Sequence, residues 1–353
     1  MRLLFCGDIM PGGVLPYQEN YIDTALLEWM GTFDFRIGTL ECAIGDNLPY
    51  DEVKMQGRMN IIYARNKDLF RIKEMGFDVV SLANNHVWDM GEEGLRNTMN
   101  QLDELGIRYC GAGMNVEEAT RPVVLQKNGV SVAILAYCMY NNPWLGYVEV
   151  AGERKPGVAP LDIERVLRDI VKAKKQYDKV VVMPHWGKEY RYAPMPESVA
   201  MTKQMIKAGA DAVLGGHPHQ VQSYIKMRGV PVCFSLGNFL FPDFYMKPPR
   251  PIWYPDASVD RSAIPDVEDY PFPVEQAICR VWKPLSRYSR MIEMEVRKSR
   301  LMVKSHFSYT TSGNVVTKSD ASKNMKKHLW KDAGMIKYGF FKRIVAVVQS
   351  LKS

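Results

Sequence analysis

Through its first two-thirds the chain alternates short apolar runs with longer stretches whose apolar residues fall three and four apart. The short runs read as buried strands and the longer stretches as amphipathic helices. Strands are predicted over residues 3–6, 35–40, 77–82, 107–110, 130–137, 179–183, 212–214 and 232–236. Helices are predicted over 21–30, 66–75, 92–105, 162–177 and 198–208, with Gly76 and Gly106 as stops. This order predicts an α/β fold with a largely parallel sheet. After Phe241 the texture changes. Residues 242–273 are rich in Pro, Asp and aromatics, including Lys247-Pro248-Pro249-Arg250-Pro251, and predict a long loop. Lys247, Arg250, Trp253 and Tyr254 would serve there either as contacts to an anionic or sugar substrate or as plain surface residues. Residues 290–296 and 302–309 predict a hairpin around Lys298-Ser299-Arg300, and 323–330 and 338–351 have helical spacing. The reading divides the chain into a domain over 1–312, which carries the 242–273 loop, and a tail over 313–353.

Charge sharpens that division. Of the net +7, all falls on residues 313–353, which hold nine Lys/Arg and two Asp/Glu; residues 1–312 balance to zero. The tail reads as an interfacial helix for an anionic membrane surface, as a helix for a synthase partner, or as a helix packed on its own domain. Nucleic-acid binding has no motif to support it. No run is long enough to span a membrane as a helix, and the N-terminus lacks the apolar length and cleavage site of a signal peptide. The expectation is a cytoplasmic protein, with the tail offering a contact to the membrane's inner face. The six cysteines, at 6, 42, 110, 138, 233 and 279, form no CxxC pair and read as reduced core residues.

Candidate chemistry sits where strands end. Four of the six histidines fall in Ala83-Asn84-Asn85-His86, Pro184-His185-Trp186-Gly187 and Gly215-Gly216-His217-Pro218-His219. Gly7-Asp8 and Leu40-Glu41 close two other apolar runs. Ligands of open α/β sheets bind at the carboxyl ends of the strands. Asp8, Glu41, Asn85, His185, His217 and His219 together offer the carboxylates, imidazoles and amide oxygen that a two-metal hydrolytic site needs. Outside these segments, His306 and His328 read as ordinary hydrogen-bonded histidines.

Six motifs in this order carry a resemblance: Gly7-Asp8-Ile9-Met10, Leu40-Glu41, Ala83-Asn84-Asn85-His86, His185 to Tyr190, Gly216-His217-Pro218-His219 and Ser235 to Phe239. Over roughly residues 1–241 the chain resembles the CapA/PgsA-type capsule and poly-γ-glutamate synthesis proteins, a branch of the calcineurin-like metallophosphoesterase superfamily. The resemblance implies a four-layer α/β/β/α sandwich of the metallophosphoesterase type. It implies two divalent metal ions (Mn, Fe or Zn), with Asp8 and His219 on the first, Asn85, His185 and His217 on the second, and Glu41 as the bridging carboxylate. His86 would be the proton donor to the leaving oxygen, and Asp89 would orient it. The implied activity is a metal-dependent phosphatase or phosphodiesterase in capsule or extracellular polymer synthesis, with an anionic phosphoester or polymer as substrate. One position departs from the wider superfamily: Met10 stands where Asp-x-His has its histidine, which removes an imidazole from the first metal. That departure favours the rival expectation, a non-turnover, metal-containing subunit that binds an anionic polymer or a synthase partner.

Overall fold

The computed structural model describes residues 1–56, 60–140, 146–248, 251–269, 274–320 and 329. The chain lays down part of one sheet, crosses to build a second, and returns to complete the first. The first part comprises β1 (Arg2–Ile9), β2 (Phe35–Leu40), β3 (Val79–Ser81) and β4 (Arg108–Cys110). The second sheet comprises β5 (Val123–Lys127), β6 (Val130–Cys138), β7 (Lys179–His185), β8 (Ala212–Leu214), β9 (Tyr224–Met227) and β10 (Val230–Cys233). The return brings β11 (Asn238–Leu240), β12 (Tyr288–Val296), β13 (Leu301–Thr310) and β14 (Val316–Ser319).

The first sheet has the order β14-β13-β12-β1-β2-β3-β4, with β11 also on β1. Two strands share that one edge because β12 pairs with Arg2 to Phe5, while β11 takes Asp8 and Ile9. The second sheet has the order β9-β10-β8-β7-β6-β5. In the first sheet the β1-β2-β3-β4 half is parallel and the β14-β13-β12-β1 half antiparallel; in the second the central pairs are parallel and the two edge pairs antiparallel. The protein is thus a mixed α/β fold with several sheets.

The helices follow from local sequence. Helix α1 (Thr24–Gly31) starts at Asp23, whose carboxylate accepts the Leu26 N–H at 3.0 Å. Helix α2 (Gly91–Glu104) buries Leu95, Thr98, Met99 and Leu102, one face at helical spacing. In α3 (Ile163–Lys174) Asp162 is the N-cap, Val166, Ile170 and Ala173 are buried, and Lys172 and Lys174 face the negative end of the helix dipole. Helix α4 (Pro196–Ala208) begins on proline and ends at Gly209, in the left-handed region at φ 114°. Among the described residues no helix is long and apolar enough to cross a membrane.

Several expectations need correction. The expected strand 232–236 stops at Cys233, the end of β10, and after 234–236 the chain turns at Gly237 (φ 72°) into β11 of the other sheet. An unbroken apolar run hid the crossing. Two strands absent from the expectation, β5 and β9, enter hairpins through Asn128-Gly129 and Arg228-Gly229, all four residues at positive φ as a tight two-residue turn requires. The 242–273 loop is not structureless. Phe244–Met246 and Asp266–Val267 both pair with Ile278–Arg280, strands too short for periodicity to reveal. Buried Asp243 anchors the insert: Arg287 Nη2 donates to its two oxygens at 2.9 and 2.8 Å, and the Trp282 N–H donates at 2.9 Å. The first sheet also takes in β14, so residues 316–319, placed in the tail, form its edge strand. The helical spacing at 323–330 and 338–351, and His328, lie outside the described residues except for Leu329. All six cysteines are buried and unpaired. His306 donates or accepts at 2.9 Å with Glu293 and sits at a sheet position, as a structural histidine does.

One close approach is decisive for the site. A Cβ on Gly7 would lie 1.8 Å from the Gly237 carbonyl oxygen and 2.8 Å from Ser289 Oγ. Only glycine lets β1 and β11 meet immediately before Asp8. Gly7→Ala is expected to destabilise the protein by roughly 3 kcal/mol or more, read as a drop in melting temperature. A variant that melts with the parent would refute this account of the β1–β11 contact.

Candidate metal centre

The carboxyl ends of strands from both sheets converge on one buried cluster. β1 delivers Asp8, β2 is followed by Glu41, and β3 by Asn84, Asn85 and His86. β7 ends at His185, and the loop after β8 carries His217 and His219. A bridge between His185 and Gly216 draws the last two segments together. Gly216 is needed there, since a Cβ would lie 2.7 Å from Asp8 Oδ1. The backbone is strained at the same place: His217 (φ 92°) and His219 (φ 52°) both occupy conformations that side chains with a Cβ rarely adopt. A register shift in β1 also falls between Asp8 and Ile9.

Two groups of three potential ligands result, each with its donor atoms within 4.8 Å of one another: Glu41, His185 and His217, and Asp8, Glu41 and His219. Glu41 belongs to both. Asn85 joins the first group, with Oδ1 2.9 Å from His185 Nε2, and Glu41 Oε1 lies 3.2 Å from the same nitrogen. His219 Nε2 is 3.7 Å from Glu41 Oε1. Asp8 Oδ2 accepts the His217 N–H at 3.3 Å. Met10 is fully buried, and its sulfur faces the Gly12 N–H at 3.2 Å, so the second group has a single imidazole.

The donor set fits a cation. Asp8, Glu41, His185, His217 and His219 are each at most 3% exposed. Asp8 Oδ1, both Glu41 oxygens and His185 Nδ1 are enclosed, with no hydrogen bond but the one that Asp8 and Glu41 share. Buried acceptors of this kind are costly unless something positive meets them. In the metal-free fold the cost appears as displaced protonation. Burial holds the Asp8 carboxyl up at about 7, against the opposing effect of the His217 N–H. Burial raises Glu41 well above the usual carboxylate range, and the charge of Asp8 adds to it. Burial keeps His185 and His219 neutral, well below the usual imidazole range, with neighbouring histidines acting in the same direction. Neutral imidazoles and clustered carboxyls are what a divalent ion binds by displacing protons.

Around this cluster the remaining residues separate by role. His86 Nδ1 lies 2.8 Å from Asp89 Oδ2, which leaves its other ring nitrogen available. Asn84 supports the loop: its Nδ2 donates to Leu40 O at 2.7 Å, and its Oδ1 accepts from the His86 and Val87 N–H groups at 2.9 Å. Trp186 is packed, donating to Phe234 O at 2.9 Å, whereas Glu189 and Tyr190 line a small cavity with His86 and His219. Cys42 is buried, and burial raises its thiol well above the usual range, which suits a core residue.

Three contributors escaped the sequence reading. Asn238 Oδ1 lies 2.9 Å from His219 Nδ1, so the Ser235 to Phe239 motif does more than turn the chain; its adjacency to the other motifs was the signal. Lys54, 2% exposed, donates to Asp89 Oδ1 and to the Asn85 carbonyl. A lone lysine in a polar stretch gives no such signal. Arg280 reaches the cavity from the small sheet and is equally silent in sequence.

Comparison with known proteins agrees with the motif order. CapA of Bacillus anthracis, a capsule biosynthesis protein, is 31% identical over 252 residues, covering 68% of this chain and 60% of that protein. The PGA biosynthesis protein CapA of Bacillus subtilis is 34% identical over 250 residues, covering 67% of this chain and 62% of that protein. The chain thus spans about three-fifths of the length of these curated relatives. Among solved structures, the NAD nucleotidase of Haemophilus influenzae overlaps 94% of this chain and 62% of that one, at a TM-score of 0.41 and 11% identity. Similarity that slight bears on neither activity nor ligand. The model of the family described as bacterial capsule synthesis protein PGA_cap matches residues 2–243, and with the motifs in place across that span the chain belongs to this family.

Proposed function

We propose that the protein is a metal-dependent phosphoester hydrolase acting in capsule or poly-glutamate synthesis. The observation that carries this reading is the shared carboxylate: Glu41 stands in both ligand groups, the arrangement a two-metal site requires. Asp8, Glu41 and His219 would hold one ion, and Glu41, Asn85, His185 and His217 the other. Such ions supply an activated water and neutralise phosphate charge. Nitrogen and oxygen donors suit Mn, Fe and Zn alike. Asp89, held by Lys54 and the Ile62 N–H, accepts from His86 Nδ1, so the proton for the leaving oxygen would come from Nε2 of the doubly protonated ring. We also propose that the two main sheets pack as the inner layers of a four-layer α/β/β/α sandwich, and that the segment beyond residue 320 contacts a synthase or a membrane surface. The names of the relatives and the basic composition of that segment support the last point.

The test is hydrolysis of aryl phosphomonoesters and diesters by purified protein with added Mn²⁺. His86→Gln is expected to lower kcat by about a hundredfold to ten-thousandfold with metal content unchanged. Full turnover in that variant would remove His86 from the reaction. Met10, with its sulfur turned to Gly12, favours a second reading: a non-turnover subunit that binds an anionic polymer or a synthase. Silence on both ester classes, together with tight polymer binding, would favour that reading.

A further inference from the structure

The small sheet brings one cationic group to the mouth of the metal centre. Arg280 closes the strand Ile278–Arg280 and is 6% exposed. Its guanidinium carbon lies 3.4 Å from the Trp282 ring centroid, and the Trp282 ring is 5.0 Å from that of His219. Nη2 donates to the Tyr190 hydroxyl at 2.7 Å, and Tyr190 in turn hydrogen-bonds Glu189. Nη1 is enclosed and meets no acceptor. Arg280, His86 and His219 line the same cavity.

A guanidinium stays charged at any physiological pH, and a buried N–H arm without an acceptor is a cost that folded proteins rarely carry without use. Stacking on Trp282 fixes the guanidinium plane and leaves its edge for in-plane hydrogen bonds. A planar fork with one arm unsatisfied suits an oxygen of a carboxylate or phosphate. Glu189 offsets part of the charge by way of Tyr190, but it does not satisfy Nη1.

We infer that Arg280 is the anion-recognition residue of this site, taking at its Nη1 edge an oxyanion borne by the substrate. That oxyanion is either a phosphoryl oxygen or a carboxylate of an acidic polymer. The inference rests on the proposed function only in bringing the substrate to the metal centre. It also gives the insert a purpose that the two large sheets do not supply.

Calorimetric titration of the metal-loaded full chain with inorganic phosphate, and separately with glutarate, tests it. Arg280→Gln is expected to weaken at least one of these by about tenfold to a hundredfold while metal content is held. Weakened phosphate binding assigns the phosphoryl source, and weakened glutarate binding the carboxylate source. No binding by the parent, or equal affinities of parent and variant for both anions, would overturn the inference. Since removing a buried, stacked cation also threatens the fold, Tyr190→Phe provides a second measurement at a position 38% exposed. It releases Nη2 as well, so the same anion should bind at least as tightly. A several-fold weakening there would overturn the assignment by making the phenol the anion's partner. Turnover is measured alongside. Arg280-dependent binding without ester hydrolysis removes the hydrolase and keeps the anion site; hydrolysis with unchanged binding does the reverse.

Discussion

Glu41→Ala is expected to empty both metal positions and reduce ester hydrolysis to the uncatalysed background, whereas His217→Ala is expected to empty only one. The asymmetry follows from the ligand groups. Glu41 is common to both, while His217 serves only the group with His185. Removing the shared carboxylate leaves the Asn85, His185 and His217 group with neutral donors alone and cuts the other to Asp8 and His219. Removing His217 leaves Asp8, Glu41 and His219 intact, so about one ion should remain, with turnover lost because the pair acts as a unit. Stability provides the control. Without metal, Glu41 is a fully buried carboxyl relieved only by a hydrogen bond shared with Asp8, so its removal lifts a desolvation cost. The metal-free Glu41→Ala protein should therefore melt no lower than the metal-free parent, which separates loss of ligand from loss of fold. Metal analysis by mass spectrometry decides the matter. Two ions and full turnover in either variant would end the two-metal reading.

The metal-free protein is expected to lose stability as pH rises from 6.5 to 8, and divalent metal to reverse that trend. Asp8, at about 7, and Glu41, held well above the usual carboxylate range by burial, keep protons in the fold that the unfolded chain releases at ordinary carboxylate pKa values. Where the fold binds more protons than the unfolded chain, stability falls as pH rises. His185 and His219 act in the opposite sense. Burial keeps them neutral, so their contribution is fully present above the unfolded imidazole pKa, about 6.5, and is lost as pH falls below it. Above that point the histidines are silent and the carboxyls set the slope; below it the two oppose. Asp8 alone should account for roughly 1 kcal/mol of loss across this window, about a degree or two in melting temperature, and Glu41 adds to it in the same direction. Metal binding needs the carboxyls deprotonated, so the stabilisation by added Mn²⁺ should grow over the same range. Melting curves in chelator and in Mn²⁺ at stepped pH check both slopes. A constant offset between the two series would show that these carboxyls are not the groups a metal displaces.

The legible part of the fold was its alternation. The amphipathic stretches of α2 and α3 were readable because one buried face repeats over about two turns. The strands that escaped were short, or entered through turns whose Asn-Gly and Arg-Gly pairs carry the signal instead of any apolar run. The insert escaped because Asp243 is polar in sequence and buried in space; its partner Arg287 lies 44 residues on. Pairings at that separation leave no local trace.

The candidate site divides along the same line. The sequence by itself determined which side chains stand at strand ends, because a strand's end is marked locally and the chemistry of Asp, Glu, Asn and His is intrinsic to each residue. Only the tertiary structure decided that Asp8 and Glu41 from one sheet meet His185, His217 and His219 from the other, and that Glu41 serves both groups. It also decided that Lys54 holds Asp89, that Asn238 holds His219, and that Arg280 reaches the mouth. The reason is physical. Ligand type is a property of one residue, but a metal site is a property of distances, and those distances are set by how two sheets joined by a crossing chain pack against one core.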